Sequence, residues 1–173
     1  MSTLVLVFHP HLEDASRINR RLVEEARRHA ETITVVNEYA AYPDFHVDKD
    51  HEQQLVDAAD RLVFEFPFYW YSAPALLKQW EDAVLTSDWA YGNAHALAGK
   101  EIQVVTTTGS PADTYTPEGR HHHTMDELLS PFETMADHIQ ATWVKPFVVS
   151  GVADLTDADL DRIAADYVKA ITA

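Results

Sequence analysis

The chain of 173 residues contains no cysteine, which excludes a disulfide framework and catalysis by a thiolate. It also lacks any run that approaches the roughly 18 apolar residues of a membrane-spanning helix. No basic segment or cleavage signal precedes the first apolar run, which starts at Leu4. These absences lead us to expect a protein of the reducing cytoplasm.

Basic residues are scarce. The chain has 13 Lys and Arg against 28 Asp and Glu, a formal net charge of -15. A charge of this sign argues against nucleic acid or an anionic membrane as the partner. It also means that any anionic cofactor must be held by local groups against the field of the whole protein.

Glycine is scarce as well, with five residues in all, and the closest pair, Gly92 and Gly99, lies seven positions apart. The dinucleotide-binding fingerprint needs three clustered glycines, and the P-loop needs two glycines at a fixed short spacing. Neither motif can be written with these residues. The sequence therefore excludes a Rossmann dehydrogenase and a P-loop phosphotransferase.

Short apolar runs alternate with amphipathic helical patterns along the whole chain, which predicts a parallel sheet covered on both faces. The predicted strands cover residues 4–8, 32–36, 61–66, 101–106 and 143–149. We expect one α/β domain over residues 1–173, a doubly wound five-stranded parallel sheet in the order 2-1-3-4-5. In such sheets ligands bind at the carboxyl ends of the strands, here in the crevice between strands one and three.

An aromatic loop follows the third predicted strand. Pro67 ends the strand, Ser72 is a candidate helix cap, and Pro74 suits a first helical turn. Between them stand four consecutive bulky aromatic residues, Phe68 to Tyr71. A hydrophobic core has no use for aromatic side chains in a loop at this edge of a sheet, whereas a flat ligand does.

The loops after strands one and four complete a possible binding site. Ser16 and the free amides at the start of the first helix are able to bind an anion, with help from Arg17 or Asn19. Taken alone, Ser16 is more simply read as the cap of its helix. The Thr107-Thr108-Gly109 stretch offers hydroxyls and accessible backbone to the polar edge of a ring. Together the three loops indicate flavin mononucleotide (FMN), with its phosphate at the first loop.

Several motifs resemble those of the flavodoxin-like NAD(P)H:quinone oxidoreductases, in particular the small bacterial branch that includes ancillary proteins of glutathione-gated potassium efflux systems. They are His9-Pro10, residues 16–19, Tyr42-Pro43-Asp44-Phe45, residues 67–80, Trp89-Ala90-Tyr91-Gly92 and Thr107-Thr108-Gly109. The resemblance implies a flavodoxin-like fold and a set of flavin-binding residues. This set is His9, Ser16, Arg17, Ile18, Asn19, Phe68, Tyr69, Trp70, Tyr71, Thr107, Thr108, Gly109 and Ser110.

Resemblance to the larger members of this family also implies a catalytic pair, a Tyr and a His six residues later. Tyr115 and His121 have this spacing. Their role would be to donate hydrogen bonds to the carbonyl edge of the flavin as hydride arrives. Two departures affect the cofactor contacts: the third loop continues as Gly109-Ser110-Pro111 and is therefore stiffer, and the first loop is one residue longer than in close relatives.

Three consecutive histidines, His121 to His123, have other readings. A metal site is one, although consecutive residues of a short loop rarely converge on one ion. A solvated polar loop is the simplest reading of His122 and His123. For His121 a catalytic role and a loop role stay equally open, since histidine is the usual proton-handling side chain near neutral pH.

The expected function is an FMN-dependent NAD(P)H:quinone oxidoreductase. FMN is expected rather than FAD because the chain lacks the extra carboxyl-terminal residues of the larger FAD-binding members. The alternative is a regulatory flavoprotein that docks on a membrane potassium-efflux transporter, and would then lie at the inner membrane through that partner. An electron-carrying flavodoxin is a third class, but it needs neither the motif at residues 89–92 nor a Tyr115–His121 pair.

Aromatic residues outside the predicted strands and helices point to a homodimer. The segment 39–48 is expected to be irregular, and aromatic residues in such places should remain largely exposed in a monomer. We expect a second subunit to cover them and to complete the active site with its own 39–48 or 89–92 loop. The residues concerned are Tyr42, Phe45, Phe68, Tyr69, Trp70, Tyr71, Trp89 and Tyr91.

Overall fold

A computed structural model describes residues 1–173. Its centre is a five-stranded sheet in the order β2-β1-β3-β4-β5, in which every neighbouring pair is parallel. The predicted flavodoxin-like α/β architecture and strand order are confirmed. The strands are β1 (Thr3–Val7), β2 (Ile33–Asn37), β3 (Arg61–Pro67), β4 (Glu101–Thr108) and β5 (Thr142–Ser150).

Helices cover both faces of the sheet, as the alternation of strands and helices predicts. They are α1 (Ile18–Arg27), α2 (Glu38–Ala41), α3 (Lys49–Asp57), α4 (Ala75–Val84), α5 (Met125–His138) and α6 (Asp157–Thr172). Successive strand residues point to opposite faces. Thus Leu4 and Leu6 pack in one core with residues of α4 and α5, whereas Val5 and Val7 pack in a second core with residues of α1 and α6.

Threonines cap the last two helices of the chain, whereas the two serines considered as caps from the sequence do not cap theirs. Thr156 caps α6 and forms a reciprocal capping box with Asp159. Ser16 does not cap α1, because the residue at the cap position is Arg17 and no side chain caps this helix. Ser72 does not cap α4 either; its cap position is held by Pro74. Both serines are thereby left free for other roles.

Two segments are more regular than the sequence suggests. Residues 38–41 form the short helix α2, which the Asn37 side chain caps. Residues 39–41 of this helix belong to the segment 39–48, which the sequence predicts to be irregular. Strand β4 continues through Thr108, because Thr107 pairs with both Pro67 of β3 and Val149 of β5. Thr107 and Thr108 therefore end a strand rather than begin a loop.

None of the helices combines the length and the apolar character that crossing a bilayer requires.

A pair of glutamates lies in the core beside α2 and α3. Glu52 accepts hydrogen bonds from the Tyr42 hydroxyl at 2.7 Å and from the Trp80 indole at 2.9 Å. Glu38 is fully buried, and neither of its carboxyl oxygens has a partner. Burial, and then the charge of Glu52, raise the pKa of Glu38 to about 9. Tyr42, which we expected to be exposed, is therefore a structural residue of this polar cluster.

Glu65 is a second buried acid, in the middle of the sheet on β3. Tyr167 of α6 donates a hydrogen bond to Oε2 of Glu65 at 2.7 Å, while Oε1 has no partner. Burial raises the pKa of Glu65 to about 8, although the Tyr167 hydrogen bond partly opposes this shift. At neutral pH this acid is therefore protonated in the folded chain.

These raised pKa values predict that stability falls as pH rises. Between its ordinary pKa of 4.5 and about 8, folded Glu65 keeps a proton that the unfolded chain has released. The free energy of unfolding then decreases by about 1.4 kcal/mol per pH unit for each such group. Urea unfolding between about pH 5.5 and pH 7.5 should show this slope, and Glu65→Gln should reduce it by that amount.

Glu118→Gln, which changes an exposed acid in the same way, should leave the slope as in the wild type. Equal slopes in the wild type and the Glu65→Gln variant would show that Glu65 is ionised in the folded protein.

Candidate functional site

The loops that follow β1, β3 and β4 meet at one edge of the sheet. They enclose a cavity of about 490 Å³, at the crevice between β1 and β3 where the strand order predicts a ligand. The structure thus brings together most of the predicted flavin-binding residues from all three loops. The lining residues are His9, His11, Ala15, Ser16, Arg17, Ile18, Asn19, Pro67, Phe68, Tyr69, Thr107, Gly109 and Val152.

The start of α1 forms the wall of this cavity that is suited to an anion. Ser16 is buried and lines the cavity, and it does not cap the helix. The first amides of a helix have no partner within it and carry the positive end of the helix dipole. The simpler reading of Ser16 as a helix cap is therefore wrong, and its hydroxyl is left beside amides that favour negative charge.

Arg17 directs its side chain away from this wall. Its guanidinium donates to the carbonyl of Leu155 at 2.7 Å and to Asp157 at 2.6 Å, next to the start of α6. An acid on α6 thus pairs with the guanidinium, and the assistance of this side chain to anion binding stays a prediction. Arg17 contributes to the cavity through its position at the start of α1.

His9 offers one hydrogen-bond donor to the cavity. Its Nδ1 accepts a hydrogen bond from the backbone amide of His11 at 3.0 Å. Burial, and to a smaller extent the neighbouring His11, lower the pKa of His9 below its usual value of 6.5. A neutral imidazole whose Nδ1 accepts must carry its proton on Nε2. His9 is therefore a neutral donor rather than a cation.

Asn19 and Thr107 join α1 to the end of β4. The side-chain Nδ2 of Asn19 donates to the Thr107 hydroxyl at 3.0 Å, and the side-chain Oδ1 of Asn19 is buried without a partner. Thr108 does not line the cavity; its hydroxyl donates to the carbonyl of Ser110 at 2.8 Å. Of the two threonines only Thr107 faces the site, since successive strand residues point to opposite faces.

The aromatic loop after β3 contains a strained tight turn. Tyr69 and Ser72 exchange two backbone hydrogen bonds of 3.1 and 3.0 Å around Trp70 and Tyr71. Trp70 has φ 49° and Tyr71 has φ 63°, in the left-handed region that two-residue turns of this kind usually fill with Asn-Gly. Each such residue costs on the order of 1–3 kcal/mol, and such strain clusters at functional sites.

Four rings form a closed set of contacts beside this turn, which we call the aromatic box: Phe68, Tyr71, Tyr115 and His121. Ring centroids are 4.6 Å apart for Tyr115 and His121, 5.4 Å for Tyr71 and His121, and 6.2–6.4 Å for the contacts of Phe68. The six-residue spacing thus does bring Tyr115 and His121 together. With Trp70, Gly109 and Ser110 the box lines a cavity of about 250 Å³ that shares Phe68 and Gly109 with the larger one.

A tight loop places His121 over Tyr115. The His121 amide donates to the carbonyl of Thr114 at 3.0 Å. A Cβ at Gly119 would lie 2.6 Å from the carbonyl oxygens of Asp113 and Thr114, so this fold of the loop requires glycine there. The next two histidines diverge: Nδ1 of His122 lies 3.3 Å from the Pro117 carbonyl, and His123 lies near Glu127.

Sequence reasoning missed the contact between Tyr71 and His121. The Tyr71 hydroxyl lies 3.3 Å from Nδ1 of His121 and links the second loop to the third. No sequence signal reveals it, because the contact depends on the left-handed backbone at Trp70 and Tyr71.

A groove of about 560 Å³ between α4 and α5 lies next to the aromatic box. Tyr71 and Ser72 form one end of it, and its floor includes Leu77, Phe132 and Met135. The expected exposure of the loop aromatics holds for only half of them. Phe45, Tyr69, Trp70 and Tyr71 are exposed, Trp70 to 93%, whereas Phe68, Trp89 and Tyr91 are half-buried and Tyr42 is buried.

Two curated bacterial proteins are similar over most of this chain. The chain is 41% identical to the uncharacterized NAD(P)H oxidoreductase YrkL of Bacillus subtilis, over 98% of this chain and 99% of that one. It is 46% identical to the glutathione-regulated potassium-efflux system ancillary protein KefG of Pectobacterium carotovorum, over 84% of this chain and 79% of that one.

Two solved structures have the same fold over almost their whole length. General stress protein 14 of Treponema denticola, solved in complex with FMN, superposes with a TM-score of 0.93 at 35% identity, over 98% of this chain and 97% of that one. An NADPH-quinone reductase from P. pentosaceus superposes with a TM-score of 0.89 at 31% identity, over 99% and 98%. Residues 1–171 match the family model described as flavodoxin-like fold, and the chain belongs to this family.

Proposed function

We propose that this protein is an FMN-dependent NAD(P)H:quinone oxidoreductase. The observation that carries the proposal is a pair of adjoining cavities that share Phe68 and Gly109, one at the start of α1 and the other in the aromatic box. That shape suits a ligand with an anionic end and a flat end. The names of the YrkL relative and of the FMN-bound and quinone reductase neighbours support it. Bound flavin would accept hydride from NAD(P)H and pass it to the quinone.

Neutral donors would hold the phosphate in a protein of net charge -15. They are the Ser16 hydroxyl, the amides of Arg17, Ile18 and Asn19, and Nε2–H of His9. A helix amino terminus is a ready anion site because its amides and its dipole act together. The unpartnered oxygen of Asn19 fits a cofactor with hydroxyl groups, since a buried acceptor without a partner costs about 1–3 kcal/mol until a donor reaches it.

The flat end of the cofactor would lie in the aromatic box. Phe68, Tyr69, Trp70 and Tyr71 would flank the ring, and the third loop would approach it from Gly109 and Ser110, where a Cβ at Gly109 would meet nothing within 4 Å. Tyr115 and His121 would donate hydrogen bonds to the edge on which negative charge develops. Preorganised donors of this kind stabilise the transition state without a cost of reorganisation.

A regulatory role on a potassium-efflux transporter is the second candidate. The 46% identity to KefG favours it, as does an exposed apolar groove beside the site. Oxidation of NADH with a quinone by the isolated protein favours the enzyme. Absence of that activity, together with tight association with a transporter, favours the regulatory role.

Binding of FMN tests the phosphate end of the site. Ser16→Ala removes a hydrogen bond to a charged group and should weaken FMN binding by roughly 1.5–3 kcal/mol. Quenching of FMN fluorescence on titration with the apoprotein measures this. Ser130→Ala, an exposed serine on α5, is the matched control and should bind as the wild type does. A colourless protein that FMN does not reconstitute would falsify the proposal.

Flavin reduction tests the aromatic box. Tyr115→Phe and His121→Gln should slow reduction of bound FMN by NAD(P)H, while FMN remains bound, because the first removes a hydroxyl donor and the second replaces a fixed imidazole donor with a flexible amide. Loss of one such donor typically lowers the rate by about 10²–10³. Stopped-flow absorbance gives the rate directly, and rates equal to the wild type in both variants would show that the family pair has no such role here.

Assembly is the third test, since we propose a homodimer with its active sites at the interface. The exposed Trp70 and Tyr71 beside the α4–α5 groove give each subunit an apolar projection and, on the same face, a depression lined mostly by hydrophobic residues. Twofold symmetry would let each subunit cover the other. Sedimentation of the FMN-loaded protein should give a dimer, and Met135→Glu in the groove should shift it towards monomer.

Ala30→Glu places the same charge on the opposite side of the sheet, after α1, and should leave the dimer intact. A wild-type monomer at micromolar concentration with full quinone reductase activity would refute the shared site.

A further inference from the structure

The contact between Tyr71 and His121 is the one polar link between the second and third loops within the aromatic box. The Tyr71 hydroxyl lies 3.3 Å from Nδ1 of His121, and the two rings meet edge to face. Nε2 of His121 is buried and has no partner in the protein. The Tyr71 hydroxyl is therefore the one hydrogen-bond partner that the protein gives to the ring nitrogens of His121.

The chemistry of the two groups gives the direction of this hydrogen bond. A phenol hydroxyl is a good donor, and the bare nitrogen of a neutral imidazole is a good acceptor. The reverse arrangement would pair an imidazole N–H with a phenol oxygen, which is a poorer acceptor because its lone pair is delocalised into the ring. Donation from Tyr71 to Nδ1 leaves the proton of His121 on Nε2.

We propose that Tyr71 is a positioning residue for His121: its hydroxyl donates to Nδ1 and holds the imidazole as the Nε2–H tautomer. The significance of this for turnover rests on the proposed oxidoreductase function, but the tautomer itself does not. Nε2–H is then a buried donor without an acceptor, in a residue that lines the cavity of the box. A ligand oxygen is the partner that would satisfy it.

The strained turn explains how Tyr71 reaches His121. Left-handed φ values at Trp70 and Tyr71 reverse the chain within two residues, and the paired backbone hydrogen bonds of Tyr69 and Ser72 hold that reversal. The Tyr115 ring also packs on His121, with ring centroids 4.6 Å apart and an interplanar angle of 31°, and limits its rotation. His121 is thus held by a ring and by a hydroxyl.

Nitrogen-15 NMR of the apoprotein, labelled at histidine, tests this without cofactor or turnover. At about pH 8.5 a free imidazole is neutral, and the shifts of its two nitrogens identify the tautomer. His121→Gln assigns the signals by their disappearance. In the wild type we expect Nε2–H to dominate. In Tyr71→Phe the ratio of Nε2–H to Nδ1–H should fall roughly fivefold, as for loss of one ordinary hydrogen bond.

Tyr39→Phe is the matched control, because it removes a hydroxyl from a tyrosine that packs on Phe45 rather than on His121. It should leave the His121 signals unchanged. Dominance of Nδ1–H in the wild type would overturn the proposal, and this reading does not require Tyr71→Phe to fold. An unchanged ratio in Tyr71→Phe would overturn it as well. Failure to bind FMN or to reduce quinone would instead contradict the proposed function and leave the tautomer result standing.

Discussion

Parallel pairing of β3 with β1 on one side and with β4 on the other determines where every loop of the site lies. The pairing continues past the strand ends. There the Phe8 amide donates to the backbone carbonyl of Glu65, and the Phe68 amide donates to the backbone carbonyl of Thr107. These two hydrogen bonds fix the starting points of the first and second loops relative to β3 and β4. The cavity wall at the start of α1 and the aromatic box both lie where this shared edge places the loops.

The features that sequence predicts well are those that depend on pattern. Apolar runs that alternate with helical patterns predict the parallel sheet, and the resemblance to the oxidoreductase family predicts that Tyr115 and His121 lie together. The sequence does not show which partner a polar side chain finds in the fold. The guanidinium of Arg17 donates to Asp157, and the hydroxyl of Thr108 donates to the carbonyl of Ser110. The burial of Tyr42 likewise follows from a carboxylate on α3, ten residues away, which no local pattern reveals.

Acidic residues dominate this chain, yet the larger cavity is lined by neutral donors, and two acids of the core are themselves neutral at neutral pH. The donors around the larger cavity are amides, a hydroxyl and a neutral imidazole, and the one nearby guanidinium is paired elsewhere. In the core, burial keeps Glu38 and Glu65 protonated at neutral pH. Buried dipoles do not attract the counterions that a cationic site would, so an anion bound there depends weakly on ionic strength.

The turn at Trp70 and Tyr71 lowers the stability of the fold but supplies one wall of the aromatic box. An Asn-Gly pair would suit this backbone far better, since both positions are left-handed. Substitution there would relieve strain and raise stability, but it would remove one wall of the aromatic box. Directed evolution for heat resistance alone would therefore be expected to reach these two positions early and to select variants that fold well and have lost this wall of the box.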